Sequence, residues 1–134
     1  MAREFPLAIV TPEQTIFEGD VVSLTLRSGL GDITFLAMHM PFIGTVAPCV
    51  GHIVGADGVE VGMVFDGGFV RANGTKVSVI APSVATEGDL VELDLERFEV
   101  EALALVERGD ELGAEALRQQ AALRGELRAK LIRR

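Results

Sequence analysis

Two periodicities divide this chain. Up to about residue 81 the apolar positions recur every second residue in short runs. Val22, Leu24 and Leu26 alternate with Ser23, Thr25 and Arg27, the pattern of a half-buried strand. Leu7 to Val10 predicts a strand that ends at Pro12, and Thr15 to Phe17 a second that ends at Gly19-Asp20. Ile33 to Leu36, Thr45 to Val54, Val59 to Phe65, Phe69 to Ala72 and Val77 to Ile80 predict further strands. Asp57-Gly58 and Asn73-Gly74 are hairpin turns between them. Strand runs with no helix between them indicate an antiparallel sandwich or barrel.

After Glu87-Gly88-Asp89 the period lengthens. Leu95, Phe98, Ala102, Leu105 and Val106 recur at helical spacing, and acids crowd the first turns, where the helix dipole favours them. Gly109-Asp110 interrupts the pattern. A second helix follows from about Leu112, with Ala116, Leu123, Leu127 and Leu131 on one stripe. The chain therefore predicts an N-terminal antiparallel β-sandwich, residues 1–87, followed by a C-terminal antiparallel two-helix hairpin, residues 90–134.

Charge narrows the partners. The net charge of −8 argues against bulk nucleic-acid binding and against an anionic membrane surface. Its distribution is uneven: residues 1–117 carry −13, and Arg118 to Arg134 carry +5. Cys49 is the one cysteine, so no internal disulfide forms. Met-Ala-Arg-Glu-Phe-Pro lacks the apolar run of a signal peptide, and no stretch reaches the roughly 20 apolar residues of a membrane span. The expectation is a cytosolic protein without direct membrane insertion.

Catalytic signatures are missing. Cys49 lies in an apolar run without a basic neighbour, which predicts a buried, inert thiol. The spacings of His39, Cys49 and His52 match no zinc pattern, so no metal is expected. Gly67-Gly68 leads into a strand rather than a helix, so it makes no anion site. The chain is expected not to be an enzyme by itself.

One stretch, residues 31–44, carries more information. Gly31-Asp32 opens it, Ile33 to Leu36 is a short strand, and Pro41 forces Met40 to be extended and His39 onto a bend. Gly31-Asp32, Leu36, His39, Pro41 and Phe42, then Pro48 and Gly51, resemble the signature of the epsilon subunit of F-type ATP synthases. Val10-Thr11-Pro12-Glu13 with Phe17 and Gly19 is similar to the family's opening strand. Gly67-Gly68-Phe69-Val70 and Val77 to Ala81 are similar to a later segment. Ala37-Met38 stands where the family usually has Pro-Gly, and Pro82 where it has an acid.

The resemblance implies a function. The chain would be a non-catalytic central-stalk subunit coupling proton-driven rotation of the c-ring to ATP synthesis through the gamma subunit. It would sit peripherally on the cytoplasmic face of a bacterial plasma membrane and be a monomer when isolated. His39, Met40 and Phe42 would face gamma; the plainer reading of His39 is a loop histidine bonded to nearby backbone. Arg27 and Asp32, in a loop with two glycines, would meet the c-ring or simply face solvent. Arg124 and Arg128, four apart on one helix face, would reach the beta subunit of the catalytic head and inhibit hydrolysis, or would only complement the helix dipole. Asp94 and Arg97, within Leu93-Asp94-Leu95-Glu96-Arg97, are similar to a motif that binds regulatory ATP in some members. Phe98 replaces that motif's alanine, and the match needs about three extra residues after Ala81; the plainer reading is an acidic helix start. The alternative for the whole chain is a free-standing ligand-binding sandwich that dimerises through its hairpin.

Overall fold

The structure is a computed structural model and describes residues 3–91 and 95–132. It divides into two units, Met1–Thr86 and Glu87–Arg134.

The first unit is seven strands: β1 (Phe5–Val10), β2 (Thr15–Ser28), β3 (Gly31–Leu36), β4 (Phe42–Gly55), β5 (Glu60–Ala72), β6 (Val77–Ile80) and β7 (Val84–Ala85). The hydrogen-bonded order runs β1-β6-β5-β4-β2, and β2 returns to β1, so the circuit closes into a flattened barrel, a sandwich. One pairing departs from the antiparallel expectation. β1 and β6 run parallel, Leu7 opposite Val77 through Val10 opposite Ile80. A parallel pair needs a long crossover, and here the four strands between them supply it. Closure removes the edges that open sheets expose; β3, paired only with β2, stays outside the circuit.

Two predicted breaks are not breaks. β2 runs through Gly19-Asp20, and β5 through Gly67-Gly68. These points alter phase instead. In β2 a register shift between Val21 and Ser23 makes Val21 a fully buried side chain and leaves Val22 half-buried. In β5, Phe65 points inward but so do Val70 and Ala72, and Phe69 points out. The two glycines between take positive φ, 96° and 136°, which lets the strand change phase without ending. Both hairpin turns form: Gly55 N–H donates to Val59 O, and Asn73 N–H to Lys76 O.

The core is aliphatic with buried phenylalanines: Phe5, Leu7, Ile9, Leu24, Leu26, Phe35 and Phe65 anchor it. Gly51 is required by packing, because a Cβ there would stand 2.5 Å from the Phe65 ring and 2.8 Å from Leu26 Cδ2.

Cys49 joins this core, as its apolar surroundings predict. Burial pushes its thiol above the usual range, against smaller opposing effects of Arg27. The unfolded thiol therefore loses its proton first as pH rises, and stability falls above the unfolded value of about 8.5. Wild type should thus lose more melting temperature between pH 8 and pH 10 than Cys49→Ala does. Native Cys49 should react with a thiol reagent only on the timescale of unfolding. Prompt labelling of the folded protein would contradict the buried placement.

Among the described residues the second unit holds three helical segments, α1 (Glu87–Val91), α2 (Leu95–Glu107) and α3 (Glu111–Ile132). α2 and α3 form the hairpin. Gly109 takes φ 81°, Asp110 N–H reaches back to Leu105 O at 2.8 Å, and Asp110 Oδ1 caps α3 by accepting from Gly113 N–H at 2.9 Å. The buried stripe of α3 differs from the expected one. Leu127 is buried and Leu123 half-buried as expected, but Ala114 and Arg124 are buried too, whereas Ala116 is exposed, as is Val106 on α2. A search for apolar residues passes over Arg124, whose stem can fill a stripe position while its head stays polar. The side chains of Leu95 and Leu131 lie outside the described residues. Among the described residues no helix is long and apolar enough to cross a membrane.

Candidate interaction surface

The bend between β3 and β4 is mounted from inside. His39 turns its ring inward, edge-on to Phe5 at 5.5 Å and Phe35 at 5.9 Å. Its Nδ1 lies 2.8 Å from Leu36 O, so Nδ1–H donates there. Nε2 is buried without a hydrogen-bond partner among the described residues. Phe42 extends the cluster edge-on to Phe35. The bend predicted from Pro41 is present, but the imidazole is its anchor and not its outer face.

The residues flanking the histidine point the other way. Met38 and Met40 are 75% and 84% exposed. Met38 is also the one described non-glycine residue at positive φ, 62°. For an L-residue this left-handed conformation costs roughly 1–2 kcal/mol. Nothing in the turn signals of the sequence marks it, because methionine is not a turn residue.

A second apolar surface lies on the outer face of β4, β5 and β6. Phe69 stands opposite Ile80 across one pair and opposite Thr45 across the other. Ile43, opposite Arg71, is the diagonal neighbour of Phe69. Ile43, Phe69 and Ile80 are 77%, 61% and 55% exposed. Alternation alone could not find this surface, since Phe69 faces out only because of the phase change at Gly67-Gly68.

The charged candidates are placed as follows. Arg27 Nε and Asp32 Oδ1 pair with each other at 3.1 Å across the β2–β3 hairpin, and Leu30 stands in solvent at its tip. His52 pairs with Glu60 at 3.2 Å, away from Cys49's inward side chain, and no metal-ligand cluster occurs among the described residues. Arg97 pairs with Glu101 at 3.5 Å on the surface of α2. Asp94 lies outside the described residues. Arg124 is not on the hairpin surface: it is 8% exposed, its guanidinium 5.6 Å over the Phe98 ring, with Nη1–H donating to Gln120 O. Arg128 is half-buried.

The Phe98–Arg124 stack joins the two helices. Phe98→Ala removes the ring that covers the Arg124 guanidinium and its cation–π contact, a loss of about 1–2 kcal/mol. Amides of α2 and α3 should then exchange with deuterium roughly tenfold faster or more, as that energy implies, while the sandwich core keeps its protection. Unchanged exchange in α2 and α3 would show that the stack does not hold them together.

Residues 4–87 match the family described as ATP synthase, Delta/Epsilon chain, beta-sandwich domain. Similar chains include the ATP synthase epsilon chain of Dichelobacter nodosus, 26% identical over 110 residues, 82% of this chain and 77% of that one. The epsilon chain of Frankia casuarinae is 36% identical over 75 residues, 56% of this chain and 88% of its own.

The chain belongs to the ATP synthase epsilon family.

Among solved structures, a chain of the Euglena gracilis mitochondrial ATP synthase (OSCP/F1/c-ring, rotational state 1) shares the fold. Its TM-score is 0.73 at 21% identity, covering 96% of this chain and 81% of that one. A chain from the central stalk/c-ring of Tetrahymena thermophila mitochondrial ATP synthase gives 0.60 at 10% identity, covering 95% and 98%. The epsilon-family sandwich thus retains its architecture here, and Met38 takes a left-handed conformation at the position that the resemblance gives to glycine.

Proposed function

We propose that this chain is the central-stalk subunit that binds gamma and couples proton-driven rotation of the c-ring to ATP synthesis. It works as a non-catalytic part of the complex on the cytoplasmic face of a bacterial plasma membrane. Family membership supports the subunit assignment, and the two structural neighbours come from assemblies named for the c-ring. The observation that carries the partner contact is the outward apolar surface of Ile43, Phe69 and Ile80 on a closed, densely packed sandwich. Exposed apolar groups gathered on one sheet face are suited to a protein partner. Gamma takes this surface, and the Arg27–Asp32 hairpin, with Leu30 at its tip, meets the polar loops of the c-ring. A closed barrel suits the task because a packed core deforms little under load.

The hairpin is the regulatory part and restrains hydrolysis through the beta subunit. Arg124 reaches that partner only after Phe98 releases it, so contact requires α2 and α3 to rearrange. In this reading ATP is a regulatory ligand of the hairpin with Asp94 and Arg97 as its contacts; Arg97, exposed on α2, would exchange its surface pair with Glu101 for the nucleotide. The test of the stalk reading is co-purification with the cognate gamma subunit. Capture of wild type as a one-to-one complex is the expected result; failure of capture would overturn the assignment.

A further inference from the structure

We propose that the sandwich carries a binding pocket for a small apolar ammonium ion, independent of the gamma-binding reading above. The pocket lies where β2, β4 and β5 meet at one end of the sheet: Val21 stands opposite Gly55, and Ile53 opposite Val61. Its volume is about 430 Å³. The Arg27–Asp32 hairpin is at the other end of β2, about 23 Å along the strand from Asp20. Burial grades the lining from floor to rim. Val21, Ile53 and Met63 belong to the buried core and form the floor. Phe17 and Val61 are half-buried and form the walls. Val59 lines the mouth and stays 55% exposed, so the Asp57-Gly58 turn does not close over it. Among the described residues, the charged groups of the lining are Asp20 and Asp57, both exposed.

Size, lining and charge select the ligand together. A packed core leaves few voids of this volume, and apolar pockets with a few polar groups at the mouth of a barrel are where small molecules bind. An apolar floor beneath carboxylates calls for an apolar body beneath a cation. Asp57 Oδ1 accepts from Val59 N–H at 2.9 Å, which fixes that carboxylate at the mouth. Asp20 makes no ion pair among the described residues, so its charge is available to a ligand. The surrounding field has the same sign. Residues 1–86 hold eight acidic and four basic side chains, which draws in a cation and repels an anion. A thin lysine stem from a protein would leave most of the volume empty and forgo its dispersion contacts. A compact, rigid body fills it and loses little freedom on binding.

Three probes of one shape test this: adamantylmethylamine, the neutral adamantylmethanol and the anionic adamantanecarboxylate, each titrated into the full chain while its amide resonances are followed by NMR. The amine should shift the amides of Val21, Ile53, Gly55 and Val61 saturably. It should bind about three- to tenfold more tightly than the alcohol, and the carboxylate more weakly than either. High salt should erode the amine's advantage and spare the alcohol. Asp20→Asn and Asp57→Asn, both at exposed positions, should each bring the amine toward the alcohol's affinity and leave the alcohol unchanged. Val61→Phe should fill the cavity and abolish binding of all three. If wild type binds amine and alcohol equally, the cation site is wrong. If none of the probes moves these four amides, or shifts appear only elsewhere, the pocket itself is wrong. Either result leaves the stalk assignment to the capture of gamma.

Discussion

Gly68→Ala should unfold the sandwich at a much lower temperature than wild type, by more than about 12 °C. Two independent penalties act there. The residue takes φ 136°, outside even the left-handed region that asparagine tolerates. A Cβ would also run into the carbonyl oxygen of Ile80 and lie 2.9 Å from Ala81 Cα. Those atoms are backbone, so no side chain can swing aside. Relieving the clash means separating β5 from β6, the pairing that carries Phe69 opposite Ile80. The loss of stability should be about 3–5 kcal/mol. Gly58 is the control: it has φ 80° with nothing within 4 Å of a Cβ. Gly58→Ala should cost only the strain, about 1 kcal/mol. Equal melting temperatures for the two variants would mean that the close approach at Gly68 does not exist in solution.

The second large effect is on assembly. Phe69→Asp should weaken gamma binding about 30-fold or more, the scale of an interface hot spot. An aromatic ring at the centre of an apolar patch gains most from desolvation, and a carboxylate placed there remains charged and without a partner. Melting should move by only a few degrees, because Phe69 already faces solvent across the sheet from the core. Ile80→Asp, directly opposite, should behave alike, and the two losses should be less than additive. A Phe69→Asp variant that binds like wild type would remove this sheet face from the interface. His39→Asp would be a poor probe of the same question, since its ring is part of the packed cluster and the substitution attacks the bend itself.

The strands, their turns and the start of the helical unit were legible because each is written in local spacing. Four features were not, each for a physical reason. The parallel β1–β6 pair joins residues about seventy apart, and period two says nothing about direction. His39's orientation depends on Phe5, thirty-four positions away, while Pro41 announces only that a bend exists. The outward face of Phe69 depends on two glycines whose positive φ reverses the alternation, so reading the period straight through Gly67-Gly68 assigns it wrongly. Arg124 looked like a free surface cation on the second helix because charge is normally solvated; its burial depends on an aromatic ring on the neighbouring helix.

The closing pair also sets an order of events during synthesis. β1 emerges from the ribosome first, but one of its two neighbours, β6, is among the last sandwich strands to appear. A nascent chain shorter than about Ile80 therefore carries β1 with one side open and the barrel unsealed. Pairings this distant in sequence form slowly, because the loop-closure entropy is lost before any contact repays it. The helical segment begins only a few residues later, at Glu87. The sandwich thus closes only after β6 has cleared the ribosome, and a chain stalled before that point would carry an exposed strand edge of the kind that seeds aggregation.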